Sequence, residues 1–225
     1  MIYISVIGST KDKFLPFDNI RHPYYVDQSH DGKNIDFLNK FYCELTGLYY
    51  LWKNVDAAIK GLEHYRTYFV SDNGLLDETD IYEILNKHDV ICGRMHFPST
   101  MGIRNVRHGT QLGPTAPFMT TFCDVINELN PDMGSAFQTY LDGEYFYPTN
   151  TLITSNRLFN EYCQALFYVL TRFDKRVPFS SQSLRMDGYM AELFMGFWFT
   201  YKRYSMYYAK MIKYHKNLVD IIYSI

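Results

Sequence analysis

Residues 41–69 decide the fold: Phe41-Tyr-Cys-Glu-Leu-Thr-Gly-Leu-Tyr-Tyr-Leu-Trp-Lys-Asn54, a short connection, then Gly61-Leu-Glu-His-Tyr-Arg-Thr-Tyr-Phe69. Phe41, Leu45, Leu48, Trp52 and Val55 recur at alternating steps of four and three, the spacing of one buried helix face. Glu44 falls off that stripe, at the helix edge, from which it can point into a cleft. Ala57–Leu62 reads as a short apolar strand that runs directly into His64, Tyr65 and Arg66. Polar and cationic groups at the carboxyl end of a buried strand mark the place where an open α/β sheet binds its ligand.

On the N-terminal side, Ile2–Ile7 is a β-rich run ending in Gly8-Ser9-Thr10, a first strand and its loop. In a nucleotide-binding α/β domain such a loop meets base or ribose, which makes Ser9 a candidate contact, although no GxGxxG or GxxxxGK[ST] motif is present. Lys11–Asn39 is long, polar and rich in turn formers, and Asn39 stands where it would cap the following helix.

On the C-terminal side, Ser71–Gly74 is a turn and Leu76–Lys87 an amphipathic helix with Asp77, Glu78 and Asp80 at its start, where the helix dipole favours acids. Asp77-x-x-Asp80 therefore reads as a solvated first turn before it reads as a metal motif. Val90–Cys92 is a third strand, ending in Gly93-Arg94. Pro98–Pro117, with Arg104, Arg107 and His108, is either a gate over the site or an ordinary surface excursion. Phe118–Leu129 and Ser135–Leu141 are helical. Glu144–Thr154 reads as a strand carrying Asn150, whose amide needs partners if buried; a sugar hydroxyl or the backbone would serve. Asn156–Phe173 is a helix, Pro178–Asp187 a polar loop, and Gly188–Tyr201 a strongly apolar helix containing Glu192. Tyr204–Ile225 carries Lys210, Lys213 and Lys216 among aromatic and aliphatic residues. It reads as a basic amphipathic helix, either packed on the domain or anchored at a membrane surface. The domain proper is thus residues 1–203, with 204–225 appended.

The chain has 225 residues and a net charge of -2, so charge gives no reason to expect a nucleic-acid partner. Aromatic residues make up 18% of it, mostly tyrosine and phenylalanine; this suits a sugar-binding cleft, and equally a tyrosine-rich core. Cys43, Cys92, Cys123 and Cys163 form no CxxC pair, which argues against zinc and for a reducing cytosol. The first eight residues lack the basic start of a signal peptide, and no apolar run approaches the roughly 20 residues of a membrane span.

Several motifs in order carry a family resemblance: Asn39, Cys43-Glu44-Leu45-Thr46, Trp52-Lys53-Asn54, Gly61-Leu62-x-His64-Tyr65-Arg66-x-Tyr68-Phe69, an aromatic–Asn150–apolar segment, and Gly188-Tyr189-Met190-Ala191-Glu192. Across most of residues 1–201 the chain resembles a bacterial capsule and O-antigen glycosyltransferase family, long catalogued as a domain of unknown function and associated with galactofuranosyl transfer. The resemblance implies a GT-A-like α/β fold with a mostly parallel central sheet covered by helices on both faces, which the alternation of strands and helices also suggests. It implies a UDP-sugar donor, a glycan or lipid-linked oligosaccharide acceptor, surface-polysaccharide synthesis, and donor-site roles for Asn39 and Glu44. One departure is Leu193, where the family usually has arginine.

Most GT-A enzymes end the central strand in Asp-x-Asp, which holds a divalent metal against the diphosphate. This chain has His64-Tyr65-Arg66 there. A departing nucleoside diphosphate needs positive charge or hydrogen-bond donors, and Arg66 offers planar bidentate donation, His64 a proton and Tyr65 a hydroxyl. The expectation is that these replace the metal wholly or in part, so no metal cofactor is assigned. Inverting transfer needs a base for the acceptor hydroxyl; Glu192 is favoured and Asp187 is the second candidate. The rival readings are a non-catalytic glycan- or nucleotide-binding protein on the same fold, and a metal-dependent transferase using Asp72, Asp77 or Asp80.

Overall fold

The computed structural model describes residues 1–14, 18–96, 116–182, 184–215 and 218–223. Twelve strands and seven α-helices occur among them. In chain order they are β1 (Ile2–Gly8), β2 (Arg21–Tyr25), α1 (Asn39–Tyr42), α2 (Leu45–Asn54), β3 (Ile59–His64), β4 (Thr67–Ser71), β5 (Gly74–Leu75), α3 (Glu78–Leu85), β6 (Val90–Cys92), β7 (Met95–His96), α4 (Ala116–Leu129), α5 (Pro131–Leu141), β8 (Tyr145–Phe146), β9 (Leu152–Ser155), α6 (Asn156–Arg176), α7 (Met186–Tyr201), β10 (Met206–Tyr208), β11 (Lys210–His215) and β12 (Leu218–Tyr223).

The central sheet runs β2-β1-β3-β9-β6-β10. β1 is parallel to β2 and to β3, and β6 is parallel to β10. β9 lies between β3 and β6, antiparallel to both. Five of these six strands therefore point one way and β9 is reversed, which is the mostly parallel α/β sheet expected; β4, β5, β11 and β12 extend the same ten-stranded sheet through antiparallel pairs. Side chains alternate across it. Leu62, Val90, Cys92 and Leu152 join the larger core under the long helices, while Ile59, Ile91 and Ile153 join a smaller core with Leu76 and Ile81 beside α3. α7 is buried almost all round, as a helix apolar on every side must be. Gly47 lets α2 lie directly on β1: a Cβ there would stand 2.3 Å from the Ile7 Cδ1.

Five expectations change. The helix through Phe41–Val55 is broken at Cys43, whose φ of 49° ends α1 before α2 begins. The long polar segment before it contains β2, whose Arg21 is wholly buried: its Nε donates to the Glu63 Oε2 at 2.8 Å, Nη1 to Asp18 at 2.6 Å and Nη2 to the Leu76 carbonyl at 3.0 Å. The Glu144–Thr154 strand is two strands, β8 and β9, around a 3₁₀ turn at Pro148–Asn150. Asp187 lies in the first turn of α7 and not in a loop. Finally, the described part of the expected Tyr204–Ile225 helix forms three strands, β10, β11 and β12. β10 pairs with β6 and β11 with β4, because both strands otherwise present open edges whose N–H and C=O groups need partners.

Asp77 and Asp80 form a reciprocal capping box at the start of α3, which accounts for both. Residues 98–115 of the expected gate, with Arg104, Arg107 and His108, lie outside the described residues, and Ala116 and Pro117 already begin α4. Among the described residues no helix is long and apolar enough to cross a membrane.

Candidate active site

β1 and β3 end side by side, and a cleft of about 530 Å³ opens at their carboxyl ends. Six of the residues singled out in the sequence line it: Ser9, Asn39, Glu44, His64, Tyr65 and Arg66. Gly8 makes the approach feasible, since a Cβ there would stand 2.9 Å from the Tyr65 Cβ. The Tyr65 N–H donates to the Ile7 carbonyl at 2.8 Å, fixing the turn that carries Arg66. Arg66 is half-buried, with its guanidinium 5.5 Å from the Tyr65 ring centroid. Asn39 does not cap α1; its Nδ2 donates to the Val26 carbonyl at 3.1 Å.

A chain of hydrogen bonds ties the cleft wall together across four elements. The His64 Nε2 lies 2.7 Å from the Thr149 carbonyl oxygen. A carbonyl only accepts, so this nitrogen carries the hydrogen and Nδ1 is left for other partners. The bond holds a turn in which Thr149 and Asn150 have φ of 69° and 52°. The turn aims the Asn150 Nδ2 at the Glu44 Oε1, 2.7 Å away, and at the Gly188 carbonyl, 3.0 Å away. The Asn150 Oδ1 is buried without a hydrogen-bond partner. Asn150 is therefore a buried strut behind the cleft wall and not, as read from the sequence, an amide within a strand.

Arg185, Lys40, Asp12 and Cys43 also line the cleft and were not singled out as site residues from the sequence. Arg185 has φ of 67° and caps α7, and its N–H donates to the Lys40 carbonyl at 2.9 Å. Burial works against its charge, yet Cys43, Tyr189, Glu44 and Glu192 hold it above the ordinary arginine range. Burial, then the charge of Glu44, pushes the Cys43 thiol up to about 12, so it stays protonated. Of the five non-glycine residues with positive φ among the described residues, Cys43, Thr149, Asn150 and Arg185 all belong to this wall. Threonine there is a marked outlier, and strain of this kind persists only where the surroundings enforce it.

Glu192 stands one turn beyond Gly188 on α7, half-buried, and acts electrostatically on Arg185. Asp187 is elsewhere: it is fully buried behind the cleft beside Asp174. Asp174 accepts from the Tyr42 hydroxyl at 2.6 Å and from the Gln182 Nε2 at 2.9 Å. Neither Asp187 oxygen has a hydrogen-bond partner, so nothing compensates its charged form beside Asp174 and the neutral carboxyl is favoured. Burial, then the Asp174 charge, accordingly pushes Asp187 up to about 9. The folded state thus keeps a proton that the unfolded chain releases near 3.8, and this stabilisation is lost as pH rises from there to about 9. Asp187→Asn retains a donor without the proton. It is expected to raise the melting temperature at pH 8 and flatten its decline with pH; an unchanged pH profile would sink the assignment of a protonated Asp187.

The GT-A-like arrangement that the sequence resemblance implies raises the question of a metal. Glu63, the acid nearest the end of β3, faces inward onto Arg21, and Asp72 pairs with Lys210 at 2.7 Å. Among the described residues no three His, Cys, Asp or Glu side chains come together to hold an ion. These residues do not fit the Asp-x-Asp arrangement.

Comparison with known proteins bears on the whole chain. No curated protein sequence matches it. Its structure matches the apo structure of the bifunctional glycosyltransferase WbbM with a TM-score of 0.81 at 18% identity, covering 100% of this chain and 47% of that one. The two share a fold, and this chain spans about half the length of the other. The profile of the family described as "Domain of unknown function (DUF4422)" matches residues 6–203, and the chain belongs to that family.

Proposed function

We propose that the chain is a glycosyltransferase that moves a hexose, galactofuranose being the sugar the family resemblance suggests, from a UDP-sugar to a glycan or lipid-linked oligosaccharide in surface-polysaccharide synthesis. The observation that carries this reading is the cleft itself: three cationic residues, Lys40, Arg66 and Arg185, line it together with His64, Glu44 and Asp12. Cations at the carboxyl ends of parallel strands suit a diphosphate, and a fixed carboxylate suits sugar hydroxyls.

In this reading Ser9 meets the nucleoside and Asn39 shapes the wall beside it. Arg66, with Arg185 and Lys40, neutralises the diphosphate as its bond to the sugar breaks, and the Tyr65 hydroxyl adds a donor. His64 donates through Nδ1 when its ring carries a second proton, because Nε2 is engaged by Thr149. Glu44, steadied by Asn150, accepts from the donor sugar. Glu192 takes the proton from the acceptor hydroxyl, which attacks the anomeric carbon from the face opposite the departing UDP and inverts its configuration. Asp187 has no part in the reaction, since it is buried and protonated. The four free thiols fit a cytoplasmic location.

Calorimetric titration with UDP tests the donor site. Arg66→Ala is expected to weaken UDP by about 10–100-fold, the worth of about 1.5–3 kcal/mol for hydrogen bonds to a charged group. Arg66→Lys should fall between the two, because a point charge does not reproduce the guanidinium fork. EDTA should leave wild-type affinity as it is. A gain of more than about tenfold on adding Mn²⁺, roughly 1.4 kcal/mol, would make a cation part of the site. UDP binding without hydrolysis or transfer of any UDP-sugar would make the chain a binding protein.

A further inference from the structure

Arg94 sits two residues beyond the end of β6, and nothing above uses it. Its guanidinium carbon lies 3.8 Å from the centroid of the Tyr208 ring and 4.5 Å from that of Tyr145. The cluster is made by three distant parts of the chain, the segment after β6, β8 and β10. A guanidinium packed on aromatic rings can keep its in-plane N–H groups free for an acceptor at the ring edge. Among the described residues no carboxylate pairs with it, and its Nε is buried without a hydrogen-bond partner. The nearest acid in sequence to these rings, Glu144, lies 3.3 Å from the His96 Nε2. Arg94 as a whole is half-buried, but a buried N–H left unsatisfied is costly unless an acceptor comes to it.

The sheet register places this cation relative to the cleft. Leu62 of β3 and Cys92 of β6 both face Leu152 of β9. His64 and Arg94 each follow two residues later, so they leave the same end of the sheet two strand spacings apart, about 10 Å. Thr149, bonded to His64, lies in the turn that enters β9 between them. That separation is on the scale of one or two sugar rings.

We propose that Arg94 is the anion-recognition residue of the acceptor subsite, and that the acceptor carries an acidic group, a sugar carboxylate or a phosphate, within about two residues of the hydroxyl that is glycosylated. The proposal rests on the glycosyltransferase reading for the word acceptor, but the binding it asserts is measurable without any transfer. Packed against the rings of Tyr145 and Tyr208, the guanidinium is pre-organised for bidentate contact with a planar carboxylate or two phosphate oxygens. Tyr145 is 44% exposed, so a sugar beside Arg94 can reach it.

The test uses the full chain and three probes followed by ligand-observed NMR: methyl β-D-glucuronide, galactose 1-phosphate and the neutral methyl β-D-glucoside. At least one acidic probe is expected to bind about tenfold or more tightly than the glucoside, and which one it is distinguishes carboxylate from phosphate. Arg94→Gln should abolish that preference and Arg94→Lys should keep part of it. Binding of the three probes without discrimination by the wild type would overturn the proposal and leave Arg94 as a packing bridge between β8 and β10. So would an acidic preference that survives in Arg94→Gln, or one that galactose 1-phosphate loses on addition of UDP, since the phosphate then sits in the donor cleft. If Arg94→Gln does not fold, the wild-type comparison still decides. Failure of UDP to bind would count against the donor site and not against Arg94, because the glucuronide and glucoside are compared without nucleotide.

Discussion

Glu192→Gln is expected to lower turnover by about 10²–10⁴-fold, the usual worth of a positioned general base, while UDP binds as before. The amide keeps the shape of the side chain and removes its ability to take a proton. The assignment rests on position. Glu192 shares a face of α7 with Gly188, whose carbonyl is bonded to Asn150, and it lies close enough to Arg185 to affect its charge. Glu44 is the competitor because it lines the cleft, but its Oε1 already accepts from Asn150 at 2.7 Å. Single-turnover rates of Glu192→Gln, Glu44→Gln and Asp187→Asn would separate the roles. Loss of turnover in Glu44→Gln with UDP affinity intact, and near-normal turnover in Glu192→Gln, would move the base to Glu44. Asp187→Asn should turn over normally, being remote from the reacting atoms.

Arg21→Ala should cost about 3–5 kcal/mol of stability, because it strands a buried carboxylate. For a chain of this length that corresponds to a fall in melting temperature on the order of 10 °C. Glu63 is wholly inaccessible; it accepts from Arg21 through both oxygens and from the Phe69 N–H at 3.0 Å. Removing the guanidinium leaves that charge with one backbone donor. The paired replacement Arg21→Met with Glu63→Leu should recover most of the loss, since two apolar side chains leave no charge unpaired. A double variant as unstable as the single would show that packing, and not the stranded charge, sets the cost.

Much of this architecture was legible because its strongest elements are periodic over many residues. α6 shows Leu158, Tyr162, Leu166, Val169 and Phe173 on one face, all buried. Three polar residues closing an apolar run mark the carboxyl end of β3. What the sequence conceals is decided by distant partners. β2 reads as loop because it holds Arg21, His22 and Pro23, yet proline is tolerated on an edge strand and the arginine is paid for by Glu63, forty-two residues away. The tail reads as a helix because its lysines recur every three residues, whereas the open edges of β4 and β6 set its conformation. The break at Cys43 carries no glycine or proline to announce it. Arg185 reaches the cleft only because it caps α7, a location that spacing along the chain does not reveal. Asp187 gave a carboxylate near the right motif, but its neighbour Asp174 lies on another helix.

The tail strands also bear on how the molecule is made. The family profile stops at residue 203, three residues before β10 begins. β10 and β11 complete the edges of β6 and β4 from more than a hundred residues downstream. During synthesis from the N-terminus those edges wait bare while α4, α5, α6 and α7 are produced, and non-local pairing of this kind is slow and exposed to aggregation. A gene fragment cut at the profile's boundary would keep every cleft residue and still yield a sheet with two unprotected sides.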